Sequence, residues 1–203
     1  MSLHQLLVAC FIFLLIWINL DTLYLFIPNG ASYAGGAGVV LMMGLAKVVN
    51  SSFSMSVDVL NFSRYYSRSL LFIAVLTASA IALNAWLIGV WSITGAAAAT
   101  LFSYLLYYLL LQGYLYWRTR VNLLSLAQLK VVALIAGGFA LNLLWSAVVT
   151  PLFDGSQYTL LLDAALKTVV LSALLLAGTY RWKVSPTVNQ MIDTLSLRIR
   201  KRI

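Results

Sequence analysis

One apolar stretch of the sequence, residues 34–59, becomes polar in its second half. The polar residues in and just after this part are Lys47, Asn50, Ser51, Ser54, Asp58 and Asn61. A helix turns about 100° per residue, so it would hold all of these side chains within roughly 100° of one another. A cation, amides and hydroxyls on one helix face can bind an anionic ligand that is rich in hydroxyl groups. The spacing therefore predicts a polar cavity wall on this helix.

The two charges on this face, Lys47 and Asp58, are too far apart to neutralise each other. Three helical turns separate them, which is about 16 Å along the axis. A charged side chain in the middle of a membrane costs about 2.5–3.5 kcal/mol, so each needs water, another helix or a ligand. For Lys47 we favour a ligand over a side chain that extends to the interface. For Asp58, beside Asn61, a place at the cytoplasmic interface is an equal alternative.

Three other charged residues in apolar stretches are candidates for ion coupling or ion pairing. Asp163 and Lys167 are four residues apart, so one helix can hold them as a self-neutralising bridge. A structural ion pair and a transport role both remain open for this pair. Asp21, close to Asn19, either lies at the membrane interface or completes the same cavity from another helix.

The residues that common enzymatic sites require are missing from the sequence. His4 is the only histidine, Cys10 is the only cysteine, and glutamate is absent. No glycine-rich phosphate loop precedes a lysine and a hydroxyl residue. A metal hydrolase or a Ser–His–Asp site therefore has no basis, which leaves a transferase that uses Asp and Arg alone as the enzymatic alternative. We expect no enzymatic activity, no metal and no cofactor.

The rest of the sequence places these residues in an all-α polytopic membrane protein. Of the 203 residues, 63% are hydrophobic and 9% are charged, far from the usage of soluble domains. Apolar stretches of roughly 20 residues can cross a bilayer as helices, and the polar alternation of a membrane β-strand is absent. We predict a bundle of six transmembrane helices, with the third and fourth in a tight helical hairpin. Their ranges are residues 6–27, 34–59, 70–90, 93–115, 131–149 and 158–180.

A basic tail at residues 184–203 follows a six-helix bundle that occupies residues 1–183. Apolar residues recur in the tail at helical spacing, and a run of arginines and lysine ends it. This pattern predicts a C-terminal amphipathic interfacial helix on the cytoplasmic side. A tail that serves only as a topology anchor is the alternative.

The basic residues lie at alternate ends of the predicted spans. Eleven of the thirteen follow this pattern, namely Arg64, Arg68, Arg118, Arg120, Lys130, Arg181, Lys183, Arg198, Arg200, Lys201 and Arg202. By the positive-inside rule, both termini and these loops face the cytoplasm. The net charge of +8 then reflects topology and attraction to an anionic membrane surface, and we expect no binding of nucleic acid.

The hairpin sequence, residues 82–104, contains a spaced set of small and apolar residues. They are Asn84, Leu87, Ile88, Ile93, Gly95, Ala96, Ala97, Ala99 and Thr100. This set resembles the pattern N-x-x-L-I-P-x-x-G-I-x-G-A-A-x-A-T near the C-terminal end of polysaccharide-biosynthesis flippases. Those proteins belong to the multidrug/oligosaccharidyl-lipid/polysaccharide exporter superfamily. Gly89 stands in place of the proline of the pattern, and Ser92 in place of its first glycine.

The resemblance implies a carrier that moves a polyprenyl-pyrophosphate-linked oligosaccharide across the bacterial inner membrane by alternating access. Family members have two pseudo-symmetric bundles around a central cavity, so this chain resembles the last six spans of such a transporter. It would then be a fragment, a truncated product or half of a dimer. Its expected partners are the lipid-linked oligosaccharide, membrane lipids, the missing N-terminal half or a second copy, and glycan-assembly proteins.

The resemblance also implies roles for individual residues. Cationic side chains would bind the pyrophosphate, and amide and hydroxyl groups of the polar face would bind the sugar. The implied substrate-binding residues are Lys47, Asn50, Ser54, Asp58, Asn61, Arg64 and Arg68. For the two arginines, a purely topological role is an alternative. Two other functions remain open: an ion-coupled exporter of small molecules on the same fold, and a non-transporting scaffold for glycan-assembly enzymes.

Overall fold

The computed structural model describes residues 2–119, 126–150 and 157–181, which form helices joined by turns. The helices are α1 (Ser2–Ile18), α2 (Leu20–Phe26), α3 (Ala37–Asn61), α4 (Ser69–Thr119), α5 (Leu126–Val148) and α6 (Gln157–Arg181). Short 3-10 helices at Gly30–Gly36 and Tyr66–Arg68 precede α3 and α4. The chain divides into two compact units, Met1–Ser125 and Leu126–Ile203.

Several of these helices are long and apolar enough to cross a membrane. Four stretches qualify: Ala37–Asn61, Tyr66–Arg118, Lys130–Val148 and Leu161–Thr179. The bent pair Leu3–Ile18 and Leu20–Phe26 adds a fifth if it counts as one span. An all-helical, multi-pass architecture is thus confirmed. The predicted tail helix, and the domain boundary at residue 184, lie outside the described residues and stay predictions.

The first predicted span, residues 6–27, is broken into α1 and α2, which meet at an angle of 59°. The break falls at Asn19, whose side-chain amide donates a hydrogen bond of 2.9 Å to the carbonyl of Leu15. Asparagine side chains compete in this way with the backbone ladder, and helices bend where the ladder is interrupted. The bend places Asp21 in the first turn of α2.

Helix α3 packs against α1 on one side and against α4 on the other. The α1 contact is close at Gly44, where an added Cβ would overlap the ring of Phe13. On the α4 side, Leu60 is fully buried with a cluster of large side chains. The cluster consists of Leu60, Phe72, Tyr107, Tyr108, Leu111 and Leu115. In a membrane, these six side chains stabilise the first unit through van der Waals packing between helices, because lipid already removes them from water.

Helix α4 folds back on itself at Ser92, which has a left-handed φ of 51° with ψ of −127°. We call residues 69–91 the first arm and residues 93–119 the second arm. The rings of Phe72 and Tyr114, on opposite arms, lie 5.4 Å apart between centroids. In a straight helix these residues would be about 63 Å apart. The predicted hairpin is therefore confirmed, with a single residue at its turn.

Small residues let the two arms approach near the turn. A Cβ added at Gly95 would overlap the carbonyl oxygen of Leu87 in the first arm. The next turn of the second arm is also slim, and Ala97, Ala98 and Ala99 are all buried. Small residues at helix contacts allow close backbone packing in membranes, as the sequence predicted for this segment.

In the second unit, α5 and α6 lie side by side in opposite directions. Trp145 near the end of α5 hydrogen bonds to Asp163 near the start of α6. At the other end of the pair, a Cβ at Gly178 would lie 2.8 Å from a δ-carbon of Leu134.

The fold-back of α4 predicts that cysteines at positions 72 and 114 can be joined by a short bis-maleimide in a Cys10→Ala background. The expected product is a chain that carries one linker bridging both cysteines, measured by intact mass. The control pair, Phe72→Cys with Trp86→Cys, lies on one arm about 21 Å apart and should carry two separate linkers. Equal bridging in both pairs would contradict the hairpin.

The close approach at Gly95 predicts that Gly95→Ala destabilises the hairpin. The added methyl group meets a backbone carbonyl that cannot move aside, so we expect a loss of about 1–3 kcal/mol, as for other overpacked sites. Thermal unfolding in detergent measures the loss. Gly89→Ala is the matched control, because nothing lies within 4 Å of its Cβ position, and alanine is the better helix former. A Gly95→Ala protein as stable as Gly89→Ala would show that the arms do not pack closely.

Candidate functional site

An open cavity of about 590 Å³ lies between α1 and the polar face of α3. The lining residues are His4, Gln5, Val8, Ala9 and Ile12 of α1 with Asn50, Ser51 and Ser54 of α3. The α3 side is polar, whereas Val8 and Ile12 present exposed apolar side chains. The cavity therefore offers polar and apolar contacts next to each other.

Hydrogen bonds tie the polar face of α3 to both neighbouring helices. The Ser54 hydroxyl donates to the Gln5 side-chain carbonyl on α1, at 2.7 Å. The Tyr108 hydroxyl, from the second arm of α4, donates to the Asn50 side-chain carbonyl. Two predicted substrate-binding residues, Asn50 and Ser54, are thus brought to one cavity and held by partners from other helices.

Lys47 does not line the cavity, but it lies about one helical turn from Asn50 and Ser51, and its side chain is exposed. Among the described residues, it forms no hydrogen bond or ion pair. The ammonium group is therefore available to a ligand or to water, as the sequence analysis required of it.

The other predicted members of the polar face do not line the cavity. Asp58 and Asn61 are exposed in the last turn of α3, and Ser54 lies about 10 Å before Asn61 along the axis. Asp21 is exposed on α2. The cavity lies beside Gln5 near the start of α1, whereas Asp21 follows Ile18 at the end of this helix. Gln5 and Ile18 are about 20 Å apart, so Asp21 does not line the cavity.

Sequence reasoning missed a second polar layer behind the cavity. Ser56 is buried and donates a hydrogen bond of 3.1 Å to the side-chain carbonyl of Gln112, also buried. The Gln112 amide nitrogen has no hydrogen-bond partner in the described part of the chain. Tyr104, Tyr108 and Gln112 follow a four-residue spacing in the second arm, which is the signal that predicts one shared face.

Arg64 and Arg68 lie on aromatic rings at the end of the hairpin, not in the cavity lining. The Arg64 guanidinium is 5.0 Å from the Tyr65 ring centroid, and its Nη2 donates to the Tyr65 hydroxyl at 2.8 Å. Arg68 lies 5.8 Å from the Tyr114 ring. Arg118, which the sequence analysis did not assign to a site, lies 5.4 Å from the same Tyr65 ring.

Asp163 is buried in the second unit and held by two donors. The Trp145 indole N–H donates to its Oδ1 at 2.8 Å, and the Thr150 hydroxyl donates to its Oδ2 at 3.3 Å. Lys167, one turn later on α6, is also buried. Because both oxygens of the Asp163 carboxylate accept hydrogen bonds from the α5 side, this residue links α5 to α6 structurally.

No group of three or more His, Cys, Asp or Glu side chains suitable for a metal ion occurs among residues 2–119, 126–150 and 157–181. Comparison of the chain with protein-family models, with curated proteins and with solved structures gave no match. The relation to polysaccharide flippases therefore rests on the hairpin motif alone.

The hydrogen bonds of Asp163 predict that Asp163→Ala destabilises the second unit by about 1–3 kcal/mol. The substitution leaves the Trp145 indole N–H and the Thr150 hydroxyl without acceptors in a place where unpaired polar groups are costly. Thermal unfolding in detergent measures the change. Asp163→Asn keeps one acceptor oxygen and should lose less.

Ser146→Ala is the control for this prediction, because the exposed Ser146 hydroxyl bonds only to the carbonyl of Leu143 in the same helix. Its expected effect is under about 0.5 kcal/mol, as for most surface substitutions. If Asp163→Ala were as stable as Ser146→Ala, the carboxylate would have no structural role.

Proposed function

We propose that the chain forms part of a membrane carrier that flips a polyprenyl-pyrophosphate-linked oligosaccharide from the cytoplasmic to the outer leaflet of a bacterial inner membrane. The cavity between α1 and α3 carries the proposal, because it joins polar and apolar lining in a helical protein with several apolar spans. The motif resemblance at residues 82–104 points to the same class of transport.

The chemistry of the cavity suits an amphiphilic ligand. The sugar hydroxyls of a lipid-linked oligosaccharide need hydrogen-bond partners, since an unpaired polar group costs several kcal/mol in hydrocarbon. Asn50, Ser54 and Gln5 provide amide and hydroxyl groups on the polar side. Val8 and Ile12, on the same helix as Gln5, offer exposed apolar side chains to the polyprenyl chain.

Lys47 is proposed to bind the pyrophosphate. A pyrophosphate carries negative charge that cannot cross a membrane unaided, and an ammonium group offers three charge-assisted donors to its oxygens. Lys47 is exposed next to the cavity and bonds to nothing in the described residues. Its position near the middle of α3 places this contact close to the centre of the span.

The cavity is open on one side, so a carrier of this kind needs a second wall. We propose that further helices supply it, either from a second copy of the chain or from another polypeptide. Alternating access then follows if the second wall rocks against α1 and α3, as in transporters built from two bundles around a central site. Six spans with both termini in the cytoplasm would suit this arrangement, in agreement with the distribution of basic residues.

We expect Lys47→Ala to reduce surface glycan at least about tenfold in cells that depend on the intact transporter. Loss of a charge-assisted contact of about 1.5–3 kcal/mol corresponds to such a factor. Surface glycan is quantified on cells with matched amounts of the protein in the membrane. Lys47→Arg keeps the charge and should retain more output than Lys47→Ala.

Met55→Ala is the matched control, because Met55 is also exposed on α3 but carries no polar group. It should leave glycan output unchanged. Normal output from Lys47→Ala would remove this lysine from the mechanism. A further check is labelling of Lys47→Cys, in a Cys10→Ala background, by a membrane-impermeant maleimide. Failure to label from either side would contradict the water-filled cavity.

A further inference from the structure

Three arginines converge where the end of α3 meets both arms of α4. Arg64 and Arg118 both contact the ring of Tyr65, and Arg68 contacts the ring of Tyr114. The two rings are themselves in edge contact, with centroids 6.2 Å apart. We call these three side chains the arginine cluster. It joins residues from the α3–α4 connection and from the far end of the second arm.

The arginine cluster has no counter-charge in the described part of the chain. Asp58, six residues before Arg64, is exposed and forms no ion pair with it. The phenolic oxygen of Tyr114, beside Arg68, is buried and has no hydrogen-bond partner among the described residues. Cation–π contacts hold the guanidinium groups in place but leave their charge unneutralised. The cluster is therefore a positive surface that no carboxylate of residues 2–119, 126–150 or 157–181 neutralises.

Exposed aromatic side chains indicate where the arginine cluster would lie relative to the membrane–water interface. Tyr66, Tyr116 and Trp117 are each more than half exposed and lie next to the arginines in sequence. At the opposite end of the hairpin, Trp86 and Trp91 are also exposed. Tryptophan and tyrosine favour the two membrane–water interfaces.

The spacing between these two aromatic groups matches a bilayer. The second arm rises about 36 Å from Ile93, beside Trp91, to Trp117, which exceeds the roughly 30 Å hydrocarbon core and approaches the 40–45 Å of a bilayer with its headgroups. The arginine cluster lies at the level of Trp117, because Arg118 is the next residue. The aromatic residues thus predict that its guanidinium groups lie at the depth of lipid phosphates.

We propose that the arginine cluster binds the phosphate group of an anionic glycerophospholipid in the adjacent leaflet. Guanidinium groups bind phosphate oxygens in a planar, bidentate manner, and their stacking on tyrosine reduces the entropy lost on binding. The acyl chains would lie along exposed apolar residues of the first arm, beginning with Leu70 and Ile73. The bound lipid offsets part of the positive charge of the three arginines and holds the two arms together at their open end.

This assignment is independent of transport by the cavity. The resemblance to flippases implies that Arg64 and Arg68 bind the pyrophosphate of the substrate. Neither residue lines the cavity between α1 and α3. A bound phospholipid would use the same contact, phosphate with guanidinium, at the arginine cluster instead of the cavity. The experiments below distinguish a lipid phosphate from a soluble pyrophosphate.

The test uses the full chain in nanodiscs of dioleoylphosphatidylcholine with a minority of dioleoylphosphatidylglycerol. After extraction into mild detergent, the retained phosphatidylglycerol per chain is measured by mass spectrometry. A charge-assisted contact with phosphate contributes at least about fivefold to retention, whereas lipid that is attracted only by general surface charge is lost on extraction. We therefore expect Arg118→Gln to reduce retention about fivefold and Arg64→Gln with Arg68→Gln to reduce it further.

Lys130→Gln is the matched control, because it removes one exposed positive charge from the second unit. It should change retention by less than about twofold. Arg118→Lys separates geometry from charge, and we expect it to retain less lipid than the unmodified protein. Equal losses in Arg118→Gln and Lys130→Gln would overturn the proposal, since retention would then follow net charge alone.

A further experiment distinguishes binding of lipid from binding of soluble phosphate. The same proteins, in nanodiscs of phosphatidylcholine only, are titrated with inorganic pyrophosphate. Binding that depends on Arg118, and that displaces phosphatidylglycerol in the mixed nanodiscs, would overturn a lipid site. Absence of such binding, together with loss of phosphatidylglycerol in Arg118→Gln, supports it. Because Arg118 is exposed, unchanged thermal unfolding of the variant checks that its fold is intact.

Discussion

The close approach of Gly95 to the Leu87 carbonyl determines where the rest of the first unit lies. It allows α4 to reverse at one residue, Ser92, whose left-handed backbone conformation costs about 1–3 kcal/mol in a non-glycine residue. The reversal brings the ends of the two arms together, so that Phe72 meets Tyr114. Packing of both arms against α3 offsets the strain at the turn. The buried cluster around Leu60 and the arginine cluster both depend on this one reversal.

Helix α3 combines apolar packing and interhelical hydrogen bonds, the two kinds of contact that join helices in membranes. Its apolar side, with Leu60, is buried in the cluster shared with α4. Its polar side is tied to neighbours by single hydrogen bonds, from Ser54 to Gln5 and from Tyr108 to Asn50. The apolar side fixes α3 to α4, whereas one polar contact and the close packing at Gly44 join it to α1. The Ser54–Gln5 hydrogen bond joins two residues that both line the cavity, so a ligand bound there can compete for it.

Sequence reasoning predicted the elements well because apolar length and small-residue patterns act locally. The hairpin at Ser92 and the polar face of α3 follow from periodicity within one segment. The break at Asn19 was missed, because an asparagine inside an apolar run signals a bend only when its side chain bonds to the helix backbone. Partners from other segments, such as Gln5 for Ser54 and Arg118 for Tyr65, could not be predicted, since spacing within a helix does not determine which neighbour it meets.

The single-residue turn at Ser92 also fixes the length of the chain at this point. Loops of ordinary proteins tolerate added residues because the chain there is not part of a helix. Here an insertion of one residue would rotate the second arm by about 100° relative to the first. Tyr108 would then leave Asn50, and Gln112 would leave Ser56, although hydropathy and helix length would hardly change. Deletions and insertions near residue 92 should thus be far rarer among functional variants of this protein than substitutions at the same place.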